Sequence, residues 1–153
     1  MKHITFLLLF TACLCNAAPL TLNELTEDEI IGQTLTVRID AGDQARYEKA
    51  VKNGLIGTVL IKGGLEGTQP PAQKRALTVQ TIQDLRRWEK QSRHKIPLLI
   101  AFDYESGSVI SPLFLGMKRL PSNMLLGAAK KPKTTRRVFA AAAQEIRSLD
   151  GQI

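Results

Sequence analysis

The stretch IPLLIAFDYESGSV, residues 96–109, holds an unbroken apolar run that ends in two carboxylates and a Gly/Ser turn. Residues 96–102 are too few for a typical helix, and turn formers follow them, so the run reads as a strand. Its lack of polar alternation predicts a strand of a parallel sheet, buried on both faces. Asp103 and Glu105 then stand at its carboxyl end, where parallel α/β architectures carry their chemistry.

Two upstream segments repeat the pattern. TLTVRI (34–39) is rich in β-branched residues and closes in Asp40, Ala41 and Gly42. IGTVLI (56–61) runs into Lys62, Gly63 and Gly64. Helical stretches separate the strands. Thr26 and Glu29 have the spacing of a capping box, which predicts a short helix through Gly32 or Gln33. Residues 43–54 read as a helix with Tyr47, Ala50 and Val51 on one face and Gly54 as its stop. In 73–93 the residues Val79, Ile82, Leu85 and Trp88 recur at near-helical spacing, and in 134–149 Val138, Ala142, Ile146 and Leu149 form a second stripe. Residues 103–123 read as an irregular loop. Strand and helix alternate three times, which predicts an α/β fold of parallel strands joined by right-handed crossovers.

Three strand ends carrying polar groups suggest one ligand-binding rim, with Asp103, Glu105 and Asp40 as the candidate residues. At extended geometry Asp103 and Glu105 project to the same side about 6.6 Å apart. Carboxylates that cleave a glycosidic bond stand roughly 5 to 9.5 Å apart, but they flank that bond. Two acids leaving one strand together suit gripping hydroxyls or orienting a base better than attacking an anomeric carbon. For Asp40 the plainer reading is a helix cap, and for Gly63-Gly64 a simple turn. A proline-containing loop follows GGLEG where a phosphate cradle would need a helix start. His94 lies in a charged connection without a ligand or serine at useful spacing, so neither metal nor triad chemistry is implied, and no cofactor is.

The amino terminus, MKHITFLLLFTACLCNAAP, places one lysine before an apolar run of about ten residues and then small residues, the layout of a secretory signal peptide. The expectation is a signal peptide over 1–17, with cleavage after Ala17 or Ala18, and a periplasmic or secreted protein. Both cysteines, Cys13 and Cys15, fall inside it, leaving the mature chain without a thiol. A lipoprotein box ending at Cys13 is the alternative, with Phe10 where leucine is preferred. No later segment is apolar for long enough to give a permanent membrane span.

With 153 residues, 44% hydrophobic and 23% charged, the chain has the composition of one folded domain. Its net charge of +7 is densest in KKPKTTRR, residues 130–137. No aromatic residue interleaves there to stack on bases, so nucleic acid is not an expected partner. The cluster reads as a solvated basic surface with weak affinity for anionic cell-envelope polymers.

Taken in order, EIIGQTLTVRID, GLIGTVLI, IPLLIAFDYESGSV, KRLPSNMLLGAA and AAAQEIRSLDGQI resemble the N-terminal barrel of family 3 glycoside hydrolases, nearer its β-N-acetylhexosaminidase branch than its β-glucosidases. The likeness runs from about residue 26 to 153. It implies a partial (β/α)8 TIM-type barrel over 18–153, about three β/α units of a parallel sheet. It also implies a β-linked glycan as ligand, of peptidoglycan or chitin type. By resemblance Asp103 matches the aspartate that hydrogen-bonds sugar hydroxyls, and Glu105 the nearby structural acid. Ser106 and Ser108 stand where the family has glycine and arginine, and Ser111 where a later arginine falls, which removes rigid cationic forks.

A complete barrel takes about 250 residues. The family's nucleophilic aspartate, its Lys-His motif and its acid/base histidine have no counterpart within 26–153. The expectation is therefore a fragment inactive alone, with an exposed edge after the third strand. A second polypeptide is one means of completing the barrel. The alternatives are a non-catalytic exported module that binds glycan or protein through the same rim, and an unrelated open α/β fold.

Overall fold

The computed structural model describes residues 20–62, 70–103 and 115–150. The expected signal peptide, the Gly63-Gly64 turn, Glu105, the serines at 106, 108 and 111, and Gly151 lie outside the described residues.

Helix α1 (Glu27–Thr34) starts as its sequence dictates. The Thr26 hydroxyl accepts the Glu29 N–H at 3.2 Å, and the Glu29 carboxylate accepts the Thr26 N–H at 2.8 Å. Each side chain thereby satisfies a backbone donor that helix geometry leaves open. Strand β1 (Thr36–Asp40) follows. The helix expected over 43–54 is split into a 3-10 turn at Gln44–Tyr47 and a short α2 (Glu48–Lys52). The Gln44 side chain explains the tight start: its amide donates to Asp84 at 2.9 Å, and its carbonyl oxygen lies 3.2 Å from the Thr81 hydroxyl. Gly54, with φ of +70°, ends the unit as expected.

Strand β2 (Thr58–Lys62), helix α3 (Pro71–Glu89) and strand β3 (Leu99–Phe102) complete the next units. All pairing is parallel in the order β1-β2-β3, with Thr36 opposite Thr58 and Thr58 opposite Leu99. The chain then forms α4 (Asn123–Ala128), capped by the Ser122 hydroxyl accepting the Leu125 N–H, and α5 (Pro132–Asp150). Pro132 at the first helical position starts α5 two residues earlier than its apolar stripe implies.

The core lies between one face of the sheet and the helices. Ile39, Val59 and Ile61 meet Val51, Ile82, Leu85 and Trp88, with Leu115, Met117 and Leu149 closing one side. In α3 the expected stripe is buried from Ile82 to Trp88, Val79 is half-buried, and the core face also includes Thr78 and Thr81. On α5, Ala142 and Leu149 are buried and Val138 and Ile146 half-buried.

The sheet corrects one expectation. Among the described residues its strands are covered on one face only. Val37, Ile39, Val59, Ile61, Ile100 and Phe102 face the helices. On the other face Thr36, Arg38 and Asp40 are exposed, Leu60 and Ala101 are half-buried, and Leu99 is 66% exposed. In a β/α barrel the helices form an outer ring, and side chains from strands across the barrel fill the inside. The apolar runs of β2 and β3 are written for both environments, and the described residues supply only the outer one. Among them, no helix is long and apolar enough to cross a membrane.

Candidate functional site

Parallel pairing brings the three strand ends into one row. Asp40 is the register partner of Lys62, and Ile61 that of Phe102. Asp103 therefore follows Phe102 as Lys62 follows Ile61. Strand alternation puts Asp40, Lys62 and Asp103 on the face opposite the core-facing residues Ile39, Ile61 and Phe102. Neighbouring strands lie about 4.8 Å apart, so the two acids stand roughly 10 Å apart at the backbone, with the ammonium stem between them.

None of the three side chains makes an ion pair or hydrogen bond among the described residues. Asp40 is exposed, whereas Lys62 and Asp103 are half-buried. The reading of Asp40 as a helix cap fails. Asp43 is the residue that precedes the following 3-10 turn, and the turn receives no side-chain cap at all. The turn is closed instead by the backbone bond from Asp43 N–H to Asp40 O at 3.0 Å.

An ammonium flanked by two carboxylates offers both donors and acceptors within reach of one polyhydroxyl ligand. Both acids leave parallel strands in the same sense. Such a row can accept hydrogen bonds from hydroxyls. It does not flank a bond for acid and nucleophile work. Among the described residues no three His, Cys, Asp or Glu side chains converge as a metal site would require.

The sequence-level candidates thus separate. Asp103 and Asp40 come together on the rim, and Glu105 lies outside the described residues. Lys62, which the sequence offers as part of a polar strand end but which is not among the candidate residues, joins them. The signal was present in the equal length of IGTVLI-Lys and TLTVRI-Asp, but only the register aligns them.

His94 also acquires an environment its sequence neighbours do not reveal. Its Nε2 atom is buried without a hydrogen bond, 3.7 Å from the Glu29 carboxylate. A cavity of about 10 Å³ lies there, lined by Glu29, Gln33, Gly54 and His94. That volume is close to the minimum for one water. The Glu29 carboxyl is held below its ordinary pKa, first by the Thr26 N–H it accepts, against the opposing effect of burial, with the Thr26 hydroxyl, His94 and Arg93 adding to the depression. This pair sits where segments enter the strands, at the opposite end from the rim, and ties α1 to the approach to β3.

Searches of curated proteins and of solved structures give no match. The family model described as the glycosyl hydrolase family 3 N-terminal domain matches residues 26–153, from the capping threonine of α1 onward. Parallel β/α units with polar strand ends on one rim are what such a barrel requires, and the chain belongs to the glycosyl hydrolase family 3 N-terminal domain family.

Proposed function

We propose that the chain provides the sugar-gripping rim of a β-N-acetylhexosaminidase-type glycosidase acting on terminal β-linked N-acetylglucosamine in envelope or chitin-type glycans. The row of Asp40, Lys62 and Asp103 on the open sheet face carries this reading. Its carboxylates accept sugar hydroxyls, and the Lys62 ammonium donates to a ring or carbonyl oxygen. The proposal includes export through the leader at 1–17, and a second polypeptide that completes the barrel over Leu60, Leu99 and Ala101. The chain alone binds and does not turn over, since both rim acids leave parallel strands in the same sense.

Two measurements test it. Titration calorimetry with N-acetylglucosamine oligomers gives saturable heat, and Asp103→Ala weakens binding about 10- to 100-fold, the value of a hydrogen bond to a charged group. Oligomers of glucose bind equally well if the hexosaminidase branch is the wrong one. Incubation with a chromogenic N-acetylglucosaminide releases no product above the buffer blank, and release would contradict the inactive reading.

A second reading, a glycan-binding module without any catalytic partner, is favoured by the serines at 106, 108 and 111 in place of the family's glycine and arginines. Under it the isolated chain binds with full affinity. Under the first, affinity rises when the completing polypeptide is added.

A further inference from the structure

The positive charge of this protein is localised. Residues 106–144 hold seven of its 21 basic residues and none of its 14 acids, so this stretch carries the whole excess of +7. Five of the seven, Lys130, Lys131, Lys133, Arg136 and Arg137, lie at the elbow between α4 and α5 and in the first turns of α5. All five are exposed. None forms an ion pair among the described residues, where Arg75, Arg86, Arg87 and Lys52 each pair with an acid.

Apolar side chains are exposed on the same two helices. Met124 is 84% exposed and Leu125 61% on α4, and Phe139 is exposed on α5. Between the helices runs an open groove of about 650 Å³ with Leu126 and Pro132 beside Lys130, Lys131 and Arg136. Isolated exposed apolar residues need no explanation, but three of them on two short-linked helices that also carry five exposed cations without ion pairs among the described residues point to an interaction surface.

We propose that the α4–α5 elbow docks on an anionic phospholipid bilayer. Charge complementarity selects the partner's sign, and the apolar residues select its kind. Headgroup phosphates meet the five cations, while Met124, Leu125 and Phe139 enter the interfacial layer, as in peripheral proteins that combine a basic patch with apolar anchors. A soluble polyanion would engage the cations and leave Met124 and Leu125 in water. Nucleic acid would find a single aromatic residue, Phe139, to stack on, and would likewise leave Met124 and Leu125 in water.

Sedimentation of the full chain with phosphatidylcholine vesicles, with and without phosphatidylglycerol, tests the proposal. The leader is common to every variant, so differences between variants report on the elbow. Binding requires phosphatidylglycerol and falls with rising salt. Combined Lys130→Gln, Lys131→Gln and Lys133→Gln lowers the partition on the order of 100-fold and flattens the salt dependence. Combined Met124→Ser and Leu125→Ser lowers it on the same vesicles with the salt dependence kept. Unchanged helix content and melting temperature verify that the variants fold, as expected for exposed side chains.

Binding of the lysine variant equal to that of the parent overturns the proposal. So does retention by the Met124/Leu125 variant together with full competition by polyphosphate, which assigns the patch to soluble polyanions.

Discussion

Thr81 hides a hydroxyl within an apolar core, and that hydroxyl ties α3 to the turn that follows β1. The Gly42 N–H donates to it at 3.0 Å, and it lies 2.9 Å from the Leu77 carbonyl and 3.2 Å from Gln44 Oε1. Thr81→Val keeps the shape and leaves Gly42 N–H without its acceptor. The expected cost is about 1–3 kcal/mol in urea unfolding, with Thr81→Ser recovering most of it. The sequence marks Thr81 only as a polar residue in a helix, because its acceptor role depends on a glycine 39 positions away. Glu29 gives a pH signature of opposite legibility, since its partner Thr26 is local. Its folded pKa lies below the unfolded value near 4.5, so the unfolded chain binds more protons. The carboxylate's contribution is present above about pH 4.5 and is lost as pH falls through the folded value. Glu29→Gln therefore reduces the slope of stability against pH on the acid side, measured by denaturant midpoints between neutral and acid pH.

At the scale of elements, glycines set how closely α1 can approach β2. A Cβ on Gly32 would sit 2.5 Å from the Leu55 carbonyl carbon, and one on Gly57 would sit 2.3 Å from the Gln33 oxygen. The two glycines are themselves joined, Gly57 N–H donating to Gly32 O at 2.8 Å. Gly57→Ala forces the backbones apart and is expected to cost about 2–4 kcal/mol in urea unfolding, well beyond an ordinary surface substitution. In the sequence these residues look like a helix end and a strand start, and their closeness is a tertiary fact. Helix α4 shows the converse. Its cap, Ser122, is visible in LPSN, yet six residues are too few for a periodic signal, and the segment before α5 went unread.

For the whole molecule, the uneven covering of the sheet predicts uneven sensitivity. Ile61 is fully buried on the helix side, and Ile61→Ala is expected to cost about 2–5 kcal/mol. Leu99, an equally apolar strand residue, is 66% exposed on the open face, and Leu99→Ser should change stability by less than about 0.5 kcal/mol. Paired thermal unfolding curves check both. A large cost at Leu99 would mean that the open face is covered in solution, by a second copy or by another chain.

The sequence by itself determined the order of the three strands and of α1, α3 and α5, the parallel sense of the sheet, the capping of α1, the stop at Gly54 and the placing of acids at strand ends. These depend on periodicity, caps and turn residues, which act within a few positions. Tertiary structure alone decided that Lys62 stands between Asp40 and Asp103, that Thr78 and Thr81 belong to the core, that His94 meets Glu29, and which sheet face is clothed. Register and burial are set by what packs across long separations, and an apolar run encodes a strand without naming the side that will be covered.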